Sequence, residues 1–141
     1  MDMTWLTELQ GSGWQGRGEL WLDPAGNDAQ LYDCTLTIEK DSVRYTWMWE
    51  GKSQQGEFQF NSIGAAWSDS WHQLDPVECK SIADSNCLFA IFNFYGVPSN
   101  PDWAWRSQLS QRPSKELILQ MTNIAPWGEE GRAVKMVFTQ C

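Results

Sequence analysis

Residues 31–50 read LYDCTLTIEKDSVRYTWMWE, and their alternation decides the fold. From Leu31 to Lys40, Tyr32, Cys34, Leu36 and Ile38 fall on one face of an extended chain, with Asp33, Thr35, Thr37 and Glu39 on the other. A period of two with one apolar face is the mark of a half-buried antiparallel strand. Asp41 and Ser42 supply a turn. Val43, Tyr45, Trp47 and Trp49 then share a face of a second strand, Val43–Glu50.

The pattern extends in both directions. Thr4–Leu9 reads as a short helical turn and Trp14–Leu22 as a first strand. Gly11, Gly13, Gly16 and Gly18 imply a bend or a close backbone approach there. Residues 23–28 form a strong turn signal, and residues 51–56 turn the chain again. Glu57–Asn61 carries Phe58 and Phe60 together, and Ile63–His72 carries Trp67, Asp69 and Trp71 on one face. Residues 74–86, polar and containing Pro76, read as an irregular lid or crossing loop. Cys87–Tyr95 is apolar on both faces, as a centrally buried strand would be, and residues 96–101 form the next loop. Trp103–Ser110, Glu116–Ile124 and Arg132–Gln140 complete the set. Short strands with no helical period predict an all-β sandwich or barrel. Short connections favour a single antiparallel up-and-down β-barrel of about 8–10 strands, formed by one domain over residues 1–141.

Charge narrows the partners. The formal net charge of −8 argues against nucleic acid, which needs a basic surface, and against anionic lipid. A cationic or neutral partner suits it better. The opening residues, MDMTWLTELQ, lack the basic and apolar regions of a secretory signal, and no apolar run approaches the ~18 residues of a membrane span. A cytoplasmic protein is expected, with Cys34, Cys79, Cys87 and Cys141 as thiols. Cys79 and Cys87 flank a loop and could pair if oxidised. The absence of Cys-x-x-Cys and the single histidine argue against structural zinc.

Two segments carry a family resemblance. The opening LQGSGWQGRGELWL resembles the first strand of lipocalin-like (calycin) barrels, whose first-strand tryptophan plugs the closed end near a base from the last strand. The resemblance implies that role for Trp14, with Arg132 or Lys135 as the base. The segment DWAWRSQL, followed by ELILQMTNIAPWGEEGRAVKMVFTQ, resembles an uncharacterised family of bacterial barrels of this kind, a domain-of-unknown-function group. That likeness implies a fold far more than a function.

Function must be argued from side chains. Ten tryptophans stand among 141 residues, six of them paired as Trp47/Trp49, Trp67/Trp71 and Trp103/Trp105. Each can bury on the order of 200 Å², so they can fill a core or line a cup. Arg106 follows Trp105 and points to the opposite face. It enters the barrel as an anion anchor if the tryptophans face out, and meets solvent if they face in. Asp69 reads as an exposed carboxylate at the barrel mouth; on an inward face it would instead need a partner such as Arg106 or a tyrosine hydroxyl. His72, at a strand end beside a long loop, reads as a solvated side chain; it is also the residue that any nucleophilic engine or haem ligation would have to use. The Glu129/Glu130 pair reads as a solvated turn. No nucleophile elbow, phosphate loop or metalloprotease motif occurs.

The expected activity is non-covalent binding of a small apolar or aromatic ligand in the cup, without an enzyme's nucleophile–base pair and without a cofactor. Tyr45, Trp47, Trp49, Trp67, Trp71, Tyr95, Trp103, Trp105 and Arg106 are its candidate residues. The alternatives are a haem- or tetrapyrrole-handling barrel using His72, and a homodimeric interaction module with an exposed tryptophan face.

Overall fold

A computed structural model describes residues 2–23, 27–84, 86–95, 98–99 and 101–141. The turn expected at 23–28 and the loop at 96–101 lie partly outside them. Among the described residues, helix α1 (Thr4–Leu9) precedes ten strands: β1 (Gly13–Trp21), β2 (Ala29–Ile38), β3 (Ser42–Trp49), β4 (Lys52–Phe60), β5 (Gly64–Asp69), β6 (Gln73–Ser81), β7 (Phe89–Phe94), β8 (Ala104–Gln111), β9 (Leu117–Ile124) and β10 (Glu130–Gln140). Each strand pairs antiparallel with its neighbours in sequence. β1 pairs with β10, Trp14 opposite Gln140, and closes an up-and-down barrel of lipocalin-like architecture. Closure leaves no sheet edge to template aggregation. No described helix is long and apolar enough to cross a membrane.

The decisive hairpin pairs Cys34 with Trp47 and Leu36 with Tyr45, so the inward faces of β2 and β3 meet inside the barrel. Tyr32, Cys34, Leu36, Ile38, Val43, Tyr45 and Trp47 are all buried. The close approach expected of the first strand is realised at Gly16 and Gly18. A Cβ at Gly18 would lie 2.3 Å from the Tyr32 ring, and one at Gly16 would meet the Val137 carbonyl oxygen. Glycine here gives an aromatic ring and a neighbouring strand the room that a side chain would occupy.

One end of the barrel is stoppered. Trp5 from α1 stacks on Phe89 at 5.8 Å and meets Phe60 edge-on. Trp14 is buried in the same core, its indole N–H donating to Ser12 Oγ at 2.8 Å. Of the two bases implied for Trp14, Arg132 lies 4.8 Å from the ring of Trp21, at the opposite end, and Lys135 sits opposite Glu19, five residues along β1 from Trp14. Antiparallel pairing explains this, because β10 sets Gln140 beside Trp14 and runs Arg132 toward the far end of β1.

Three expectations are corrected. Residues 74–86 are not an irregular loop throughout; Gln73–Ser81 is β6. Its sequence hides the strand because Leu74 points outward, 77% exposed. Pro76 falls where the β5–β6 register shifts between Trp67 and Asp69, and a bulge tolerates its missing N–H. Residues 52–56 are the start of β4 rather than a turn. The reversal is confined to Glu50 and Gly51, both with positive φ, as a two-residue hairpin requires. Finally, β7 is not buried on both faces: Phe94 is exposed, and Phe92 packs edge-on against it outside the barrel.

Candidate functional site

At the unstoppered end the strands carry alternating residues past the packed core. Leu20, Trp21 and Leu22 arrive from β1 and its exit, Asn93 and Tyr95 from β7, Trp105 from β8, Asn123 from β9 and Ala133 from β10. The β5–β6 turn adds Trp71 and His72, the start of β6 adds Gln73, and Trp67 reaches up from β5. Together these enclose a cavity of about 320 Å³. A second chamber of about 430 Å³ shares Trp21, Leu22, Tyr95 and Asn123, and adds Trp103, Trp127, Asp23 and Glu129. β6 and β7 share only two paired positions, Lys80 with Phe92 and Ser81 with Ile91. Gln73 and Asn93 lie beyond that short ladder and line the cavity.

A polar network supports the wall. Asp69 is 2% exposed. Its Oδ2 accepts the Tyr45 hydroxyl at 2.6 Å, and its Oδ1 accepts the backbone N–H groups of Trp71 and His72 at 2.8 and 2.9 Å. The Trp67 indole donates to the Tyr45 oxygen at 3.0 Å. One buried carboxylate thus sets the turn that presents Trp71 and His72. Asp69 is therefore not exposed at the barrel mouth, and a tyrosine hydroxyl fills its partner role. Burial, then the charge of Asp69, pushes the Tyr45 phenol well above its ordinary range.

His72 is wedged among indoles. Its ring stacks on Trp47 at 5.6 Å and 22°, meets Trp71 edge-on at 4.7 Å, and lies 5.2 Å from Trp105. Trp105 in turn stacks on Trp67 at 5.6 Å and 12°. His72 Nε2 and Trp105 Nε1 are buried with no hydrogen-bond partner among the described residues. An unsatisfied buried donor or acceptor costs about 1–3 kcal/mol, so each leaves an uncompensated polar atom in this wall. Burial lowers the pKa of His72, and the nearby Asp69 charge only partly opposes this. The consequence for stability has a definite sign. Below the ordinary value of 6.5 the unfolded chain takes up a proton that the folded imidazole resists. The contribution of His72 is therefore full above that pH and is lost as pH falls. Urea midpoints measured on either side of 6.5 are expected to drop on the acid side, and His72→Asn to flatten the drop. A wild-type midpoint insensitive to that interval would contradict the buried neutral imidazole.

The sequence candidates separate into groups. Trp67, Trp71, Tyr95 and Trp105 line the first chamber, and Trp103 and Tyr95 the second. Trp71 stands in the turn after β5, not on a strand, and is 45% exposed. Tyr45 and Trp47 lie below in the core, and Trp49 packs between Trp47 and Trp71. Arg106 is not brought into the cavity. Trp105, Ser107 and Leu109 take the buried positions of β8, which leaves Arg106 on the other face, paired with Glu130. Cys79 and Cys87 are unpaired: the first thiol contacts Asn93, the second accepts from Gln108 and Ser110.

Sequence reasoning missed Trp21, Gln73, Asn93, Asn123 and Trp127. Asn93 and Asn123 carried a signal, being polar residues on otherwise apolar inward faces beside Ile91 and Met121. Comparison with known proteins finds no family model that matches the chain and no curated protein similar to it in sequence.

Proposed function

We propose that the protein binds a small, flat, largely apolar molecule non-covalently in the cup, within a barrel of calycin kinship. The cavity lined by Trp21, Trp67, Trp71, Tyr95 and Trp105 carries this reading. Ligand sites combine mainly apolar walls with a few convergent polar groups. Here the amides of Gln73, Asn93 and Asn123, with the unpartnered Trp105 indole N–H, supply those groups.

Haem ligation by His72 has weaker support. Its Nε2 is enclosed, and Trp47, Trp71 and Trp105 surround the ring, so iron could reach it only after the turn opened. The exposed rim residues Leu22, Trp71, Leu74 and Trp127 support a second reading, a homodimeric contact.

Titration of tryptophan emission with neutral aromatic alcohols, flavins, porphyrins and fatty acids tests the cup. Quenching or a shift is expected with aromatic members of the panel, weakened in Trp71→Ala by about tenfold, the loss of one stacked ring and its buried area. Uniform silence across the panel would reject the cup. A Soret band that persists in His72→Ala would separate porphyrin stacking from iron ligation. Light scattering that shows a stable dimer would favour the contact reading.

A further inference from the structure

We propose that the cup selects by charge, taking an aryl-alkyl ammonium cation in preference to a carboxylate of the same shape. The inference rests on the cup reading and names its ligand class. Among the described residues, no lysine or arginine lines either chamber, and the acidic side chains that do, Asp23 and Glu129, line the second, which shares Trp21, Leu22, Tyr95 and Asn123 with the first. Below the floor lies a third carboxylate, Asp69, satisfied by three hydrogen bonds but by no ion pair among the described residues.

The aromatic walls respond to the same sign of charge. Indole faces attract cations through their quadrupole, most strongly where water is excluded. Trp21 already shows this at the mouth, with the Arg132 guanidinium 4.8 Å from its ring centroid. The other arginine near this end, Arg106, is tied to Glu130 on the outer face. His72, held neutral by burial, adds no positive charge. A carboxylate entering the cup would lose its water and meet no lysine or arginine among the lining residues, whereas an ammonium would find ring faces and, in the second chamber, two carboxylates of opposite sign. Shape alone would admit both.

An isosteric set separates charge from shape. 2-Phenylethylammonium, 2-phenylethanol and phenylacetate are titrated at neutral pH by calorimetry and by tryptophan emission. The ammonium is expected to bind about tenfold tighter than the alcohol and the carboxylate weakest of all. Added salt and the Glu129→Gln variant, changed on an exposed turn, are expected to narrow the gap. Phenylacetate or the alcohol binding as tightly as the ammonium would overturn charge selection while leaving the cup reading intact. Binding by none of the three, together with silence across the panel of alcohols, flavins, porphyrins and fatty acids, would overturn both.

Discussion

Trp47→Ala is expected to destabilise the barrel by about 3–5 kcal/mol, the range for truncating a buried aromatic side chain. Trp47 is 1% exposed. Its ring touches those of Tyr32, Trp49, Trp71 and His72 at 5.3–6.3 Å. Alanine would leave a void directly beneath the His72 imidazole, and the cup would lose its floor with the core. In urea, with a slope of about 2 kcal/mol/M, the midpoint is expected to fall by about 2 M. Trp71→Ala provides the contrast: that ring is half in solvent, and its removal is expected to cost less than ~1.5 kcal/mol. Equal losses for the two variants would mean that Trp47 is not the structural member of the pair. The comparison thus divides tryptophans that hold the barrel from those that serve the cavity.

Alkaline pH is expected to unfold the protein steeply. All three tyrosines, Tyr32, Tyr45 and Tyr95, resist ionisation because burial disfavours the phenolate; Tyr95 is pushed up to about 12. Burial likewise pushes the Cys34 and Cys79 thiols up to about 12. In the unfolded chain thiols ionise near 9.0 and phenols near 10.0. Groups whose pKa is raised by folding contribute fully below the unfolded value, and that contribution is lost as pH rises. Stability is therefore expected to be level to about pH 9, the ordinary thiol range, and then to fall. Each fully buried group contributes a slope of up to ~1.4 kcal/mol per pH unit. Tyrosinate absorbance followed alongside circular dichroism checks this. The phenols should ionise together, with loss of the β signal. Two or more titrating near 10 in a folded barrel would show that water reaches their hydroxyls.

The fold was legible where one face of a strand is apolar and the other wet. Residues 31–50 state that contrast with two exceptions, the exposed Leu31 and Met48, and the hairpin they predict is the one present. Legibility failed where the inward face borders the cavity rather than the core. Gln73–Ser81 turns few apolar side chains inward, because the interior beside Gln73 is cavity. A strand bordering a polar-lined space loses the very periodicity by which strands are recognised. The opening of β4 was hidden for a related reason: Lys52, Ser53, Gln54 and Gln55 are polar on both faces.

The candidate site was half legible for a comparable reason. Pairs of tryptophans were visible as pairs, but spacing cannot say which face of a strand turns inward. Barrel closure settles it, turning Trp105 in and Arg106 out with one alternation. It also gathers Trp21, Asn93 and Asn123, distant in sequence, to the same end as the β5–β6 turn.

From its sequence alone the chain determines an acidic all-β protein with short antiparallel connections and a surplus of indole, because alternation and turn chemistry are local properties. Which indoles pack and which remain beside a cavity is decided by tertiary structure. Only closure of the sheet assigns every strand an inside, and only the α1 stopper leaves one end of that inside unfilled.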